Sequence, residues 1–160
     1  MPLPDEFKTA FRRYPTGVAI ITAAGPVGLT ASSVASVSAD PPALSFSVMA
    51  SPSARAILEA PSFVVNLLGA GSVALAEAFS ATGGPRFTPG QAWDVLPTGE
   101  PVLTTATASL RATPLDRVPV GTSTVVIAQV HEVLLGDATG HLVYHDRAYI
   151  ETPLNGHAKH

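Results

Sequence analysis

The sequence contains no cysteine, which excludes disulfides, thiolate nucleophiles, zinc ribbons and iron–sulfur clusters together. Charge is scarce as well. Asp, Glu, Lys and Arg make up 13% of the 160 residues, about half of the roughly 25% usual in a soluble domain. With 9 basic against 12 acidic side chains the net charge is −3, and the two lysines form no basic stripe, so nucleic acid is excluded as a partner. Ser, Asn, Gly or Asp interrupts every apolar run before it reaches the roughly 18 residues of a membrane span. The start, MPLPDEFK, lacks the basic and apolar segments of a signal peptide. These absences fit a cytoplasmic protein without a membrane partner. High charge with few apolar residues marks disorder, and this chain has neither, being 46% hydrophobic. Its length predicts one domain with a substantial core.

What is present reads mainly as strand. Phe7, Phe11 and Tyr14 recur at helical spacing over residues 5–14, and Pro15 ends that pattern. Residues 17–23 and 27–33 are strand-like runs around the turn Ala24-Gly25-Pro26, a hairpin signal. Over 43–49, Leu44, Phe46 and Val48 alternate with Ser45 and Ser47. Residues 54–60 read as a helix with Ser53 placed to cap it, and 72–79 as another. Residues 62–68, 103–113, 123–135 and 142–149 complete the strands, and 81–101 reads as a long loop anchored by Trp93. Strands without regular helix alternation predict a mainly β fold, an antiparallel barrel whose closure removes sheet edges.

Two segments carry candidate chemistry. From Gly28 to Ser38, five hydroxyl side chains, Thr30, Ser32, Ser33, Ser36 and Ser38, are interleaved with Ala and Val. Small residues let a flat ligand approach the backbone, where N–H and C=O groups meet its edge. On composition alone the plainer reading, a polar strand edge followed by a turn, is favoured. Ser51-Pro52-Ser53-Ala54-Arg55 sets hydroxyls and a guanidinium at a predicted helix start, where orphan N–H groups attract anions. An ordinary cap with a solvated arginine explains that stretch equally well. His141 and His145 flank a strand-like stretch without a third ligand, and no nucleophile elbow, GxxxxGK[ST] or GxGxxG exists. A chain without an evident acid, base, nucleophile or metal can leave its chemistry to a cofactor, as in hydride transfer to a flavin.

The ordered set Phe11-Arg12, Pro15-Thr16-Gly17-Val18-Ala19-Ile20-Ile21-Thr22, Gly28-Leu29-Thr30-Ala31-Ser32-Ser33 and Ser36-Val37-Ser38-Ala39-Asp40-Pro41-Pro42 resembles the flavin reductase-like, FMN-binding split-barrel family. Those proteins are the small reductase components of two-component flavin monooxygenases. The resemblance continues through Ser51, Ser53, Phe63-Val64-Val65-Asn66-Leu67-Leu68, Leu75-Ala76-Glu77-Ala78-Phe79, Trp93 and Leu142-Val143-Tyr144-His145-Asp146-Arg147-Ala148-Tyr149. It implies an antiparallel six-stranded split β-barrel with short peripheral helices, spanning residues 1–152 before a polar tail at 153–160.

It also implies a homodimer and a flavin, FMN or FAD, with NADH or NADPH as electron donor. The expected flavin contacts are Thr30, Ala31, Ser32 and Ser33, with Ser36, Val37 and Ser38 lining the same groove. Ser51 and Ser53 would hold the phosphate, and Pro15, Thr16, Ala78 and Phe79 would flank the ring. Ser123, His145, Arg147 and Tyr149 are expected on the nicotinamide side. No residue is assigned an acid–base role. The implied activity is an NAD(P)H-dependent flavin reductase supplying reduced flavin to a monooxygenase.

One departure stands out: Gly121-Thr122-Ser123 occupies the position where the family commonly has Gly-Asp-His. It leaves open a flavin-binding or carrier protein with little reductase activity. The shortage of charge fits an apolar face buried against a second copy.

Overall fold

The computed structural model describes residues 1–154, so most of the tail set apart at 153–160 lies outside the described residues. In chain order the elements are α1 (Leu3–Arg12), β1 (Thr16–Gly17), β2 (Ala19–Ala23), β3 (Val27–Ala31), β4 (Ala35–Ala39) and β5 (Pro42–Met49). Then come α2 (Pro52–Glu59), β6 (Phe63–Leu67), α3 (Val73–Ser80), β7 (Trp93–Val95), β8 (Pro101–Leu103), β9 (Ala108–Val120), β10 (Ser123–Leu135), β11 (His141–His145) and β12 (Ala148–Thr152).

Strand β2 shows why the chain folds as it does. All five of its residues are buried, because both faces are covered. Ala19, Ile21 and Ala23 point into a core with Phe46 and Phe63, whose rings meet edge-on at 5.3 Å. Ile20 points the other way, to a second cluster with Phe79 and Leu103 beneath α3. This two-residue period sorts one strand between two apolar clusters.

The main sheet runs β3-β2-β6-β9-β10-β5-β4, and every pairing in it is antiparallel. The mainly β split-barrel architecture is therefore present, with seven strands in this sheet rather than six. The added strand is β4, whose hydroxyl-rich sequence reads as a turn. It pairs with β5 through a register shift between Ser36 and Ser38. No ladder joins β3 to the far side of the sheet. Ser33 spans that seam instead: its Oγ accepts from the Ser47 N–H at 2.9 Å and donates to the Ser47 carbonyl oxygen at 3.0 Å. One hydroxyl does there what a strand residue's own N–H and C=O would do.

Three further expectations are corrected. Helix α2 starts at Pro52 and is capped by Ser51, whose Oγ accepts from the Ala54 N–H at 3.1 Å, so Ser53 lies inside the first turn. Proline at the first helical position costs no hydrogen bond. The loop expected over 81–101 contains β7, which pairs with β8. The last strand is a hairpin, β11 with β12, extended by β1. No helix of the described residues is long and apolar enough to cross a membrane.

Candidate functional site

Strand β3 ends the main sheet, so one of its edges keeps backbone N–H and C=O groups free of any neighbouring strand. That edge borders a cleft of about 580 Å³ between β3, the end of β5, the start of α2 and the end of α3. The volume suits a small-molecule ligand. Gly28 allows the close approach of α3: a Cβ there would come within 2.8 Å of the Phe79 ring. Thr30 ties the same helix from above, donating from Oγ1 to the Ala76 carbonyl oxygen at 2.7 Å. With that proton committed, the Thr30 oxygen faces a ligand as an acceptor.

Of the expected flavin contacts, Thr30, Ala31, Ser32, Ser33, Ser51, Ser53 and Phe79 all line this cleft. Others lie elsewhere. Ser36, Val37 and Ser38 sit on β4, outside the lining of this cleft. Ala78 turns to a separate hollow with Ala74 and Leu75. Pro15 precedes β1, and Thr16 pairs with Tyr144 of β11, its hydroxyl enclosed without a hydrogen-bond partner.

The cleft also holds Arg86, which the sequence reading missed. Its Nη2 donates to the carbonyl oxygens of Phe79 at 2.9 Å and Ala81 at 3.2 Å, and its Nη1 reaches Ser53 Oγ at 3.5 Å. The guanidinium carbon lies 5.6 Å from the centre of the Phe79 ring. Its Nε is buried and has no partner among the described residues. A signal existed, since Arg86 is the only charge between residues 81 and 93. The donor set at this end fits a phosphate: the Ser51 hydroxyl proton, the first-turn N–H of Ser53 and an arginine with an unspent N–H.

A second cleft, about 500 Å³, opens on the other side of Thr30. Thr30, Ser32 and Ser80 line both clefts, so the two meet there. Arg147 and Tyr149 line the second cleft as expected, joined by Tyr144 and Glu77, which the sequence reading did not single out. The Tyr144 and Tyr149 rings, opposite each other across the hairpin, are 5.2 Å apart. Burial raises the Tyr149 pKa above the ordinary phenol value. A hydrogen bond with Ser80 opposes that rise, and the neighbouring Tyr144 and Glu77 add to it. The phenol therefore stays protonated at neutral pH and can donate.

His145 falls instead beside Arg12, Arg13 and Asp146 in a small hollow next to α1. Ser123 pairs with Met49 at the mouth of the first cleft and does not line the second.

Residues 11–153 match the sequence model of the flavin reductase like domain. The NADH:FMN oxidoreductase of Rhodococcus erythropolis is 39% identical over 158 residues, covering 93% of this chain and 82% of that protein. The reductase component of the FADH2-dependent resorcinol hydroxylase of Rhizobium sp. (strain MTP-10005) is 34% identical over 153 residues, covering 91% and 85%. Among solved structures, the flavin reductase domain protein of Arthrobacter sp. FB24 superposes with a TM-score of 0.87 at 35% identity, covering 96% of this chain and 98% of the other.

Proposed function

This chain belongs to the flavin reductase like domain family, and from that membership we propose that it is an NAD(P)H-dependent flavin reductase. The observation that carries the reading is the junction of the two clefts at Thr30, Ser32 and Ser80. A flat ring in each would meet face to face there, with only small side chains between them.

A flavin held in the first cleft would supply the hydride acceptor, with a nicotinamide in the second cleft as the donor. The protein's part is positioning and exclusion of water. The free edge of β3 and the Thr30 oxygen address the polar rim of the isoalloxazine. Ala31, Ser32 and Ser33 leave room for its face. Ser51, Ser53 and Arg86 hold the phosphate. On the donor side Tyr149 offers its phenol proton, Tyr144 an aromatic wall and Arg147 a cation for the donor's phosphates. No step needs a protein acid or base, because the hydride carries its own electron pair.

FMN and NADH are the pair named for the Rhodococcus relative, which supports the same pair here. The Rhizobium relative is a reductase component of a hydroxylase, which supports a monooxygenase as the consumer of reduced flavin. The Gly121-Thr122-Ser123 departure sits at the tip of the β9–β10 hairpin, and Ser123 is outside the donor cleft of its own chain. It therefore leaves both clefts of the chain intact. The reading includes a homodimer, supported by the exposed apolar residues of α1, an element with no buried residue.

Purified protein mixed with FMN and NADH should consume the nicotinamide catalytically, followed by the loss of its absorbance band. No consumption with either flavin and either nicotinamide would overturn the reading.

A further inference from the structure

The separate hollow beside Ala74 and Ala78, about 520 Å³, shares no lining residue with either cleft. It opens at the start of α3, whereas the two clefts meet at the end of that helix, by Ser80. We propose that this hollow is a second small-molecule site, taking a neutral phenol with its hydroxyl at the start of α3 and its ring against the helix. The proposal goes beyond the reductase reading and does not depend on it.

The start of α3 is left uncapped. Ser72 holds the N-cap position, but its backbone, at φ −108° and ψ 13°, departs from the extended form of a capping residue, and its hydroxyl makes no capping bond. The residue is only 9% exposed, lines the hollow and has no side-chain hydrogen-bond partner among the described residues. Its carbonyl oxygen accepts the first helical bond, from the Ala76 N–H at 2.9 Å. The N–H groups of Val73, Ala74 and Leu75 precede that bond and have no acceptor inside the helix. Buried hydroxyls are nearly always hydrogen-bonded, and this one stands beside three donors that lack an oxygen.

Glu151 decides the charge of the oxygen that suits them. Its Oε1 accepts from the Gly71 N–H at 2.6 Å, so a carboxylate already sits at the positive end of α3. A phosphate or a second carboxylate there would be repelled by it. A neutral hydroxyl avoids that repulsion, because its oxygen accepts from the helix N–H groups and its proton goes to Ser72 Oγ. The rest of the wall is apolar, with Ala74, Leu75 and Ala78 from α3 and Pro85 and Ala92 from the segment after it. Gln91 braces that segment: its Nε2 donates to the Pro85 carbonyl oxygen at 2.9 Å, and its Oε1 accepts from the Thr88 N–H at 3.2 Å and from Trp93 Nε1 at 3.1 Å. A braced wall is already formed when a ligand arrives, and a rigid ring has no torsions of its own to freeze against it.

Ligand-detected NMR titration of the full chain with phenol, toluene and benzoate tests this, in saturating FMN to keep the probes out of the flavin cleft. Phenol should bind saturably, and about tenfold more tightly than toluene or benzoate. Ala74→Trp, an exposed position that lines this hollow and neither cleft, should abolish phenol binding while leaving FMN affinity within about twofold. Ser72→Ala removes a hydroxyl that caps nothing, and should weaken phenol by about five- to tenfold while leaving toluene unchanged. No saturable binding of phenol to wild type, or binding that Ala74→Trp leaves unchanged, would overturn the site. Toluene or benzoate matching phenol, or phenol binding that Ser72→Ala leaves unchanged, would overturn the assignment of a neutral hydroxyl to the helix start. Each of these failures leaves the FMN turnover that tests the reductase reading untouched.

Discussion

Arg86 works in two directions. Its Nη2 satisfies the carbonyl oxygens of Phe79 and Ala81 at the C-terminal end of α3, while its buried Nε has no partner among the described residues. Its Nη1, only 3.5 Å from Ser53 Oγ, is the part of the guanidinium left for a phosphate in the cleft. Arg86→Ala should therefore lower FMN affinity by about ten- to a hundredfold, the range of a charge-assisted hydrogen bond, read by calorimetric titration. Glu100 is the opposite case, a buried charge with every need met. It is 1% exposed, pairs with Arg111 Nε at 3.0 Å, and accepts from Ser62 Oγ at 2.9 Å and Thr98 Oγ1 at 2.8 Å. Glu100→Ala leaves a partly buried guanidinium and two hydroxyls unpaired, and should cost about 3–5 kcal/mol in urea unfolding. In the sequence Arg86 stands out only as an isolated charge, and Glu100 not at all. Both belong to connecting segments, and their partners lie from 2 to 38 positions away at no regular spacing, so no periodic pattern marks them. The hydroxyl-rich segment was legible, because its polarity within an apolar chain is local. What each hydroxyl does was not: Ser33 closes the barrel seam, and Thr30 anchors a helix.

At the level of elements, the tip of the β11–β12 hairpin joins fold to function. His145 pairs with Ala148, leaving Asp146 and Arg147 as a two-residue connection with φ of 50° and 62°. Positive φ at both central positions suits the twist of a hairpin, yet a left-handed arginine costs roughly 1 kcal/mol. The site keeps that cost where a cation lines the donor cleft. Arg147→Gly should raise thermal stability by about 1 kcal/mol while raising the KM for NADH, measured by thermal melts and initial rates. A variant without gain in stability would contradict the strain. Strand alternation and proline stops made most of the strands and helices visible in advance. The missed elements, β4, β7, β8 and β12, are short or polar, and are formed by what they pair with. The outer half of β9 carries Pro114 and Pro119 beyond the segment paired with β6. Proline on such an edge blocks further strand addition.

For the whole molecule, the scarcity of charge recurs as exposed apolar surface. Leu3, Phe7 and Phe11 on α1 and Tyr14 just after it are all more than half exposed, and so are Leu115 and Val120 at the outer end of the β9–β10 hairpin. Isolated exposed apolar residues are ordinary, whereas a helix whose whole apolar face is open marks an interface. Light scattering should give twice 16.4 kDa, and a stable monomer would contradict a dimer built on these faces. The central claim concerns the junction of the two clefts, where Thr30, Ser32 and Ser80 would bring nicotinamide and flavin together. The measurement that tests it most directly is an anaerobic single turnover of the protein–FMN complex with NADH. Loss of the nicotinamide band should match bleaching of the flavin band one for one and at one rate. Flavin that stays bound and oxidised while NADH persists would contradict it.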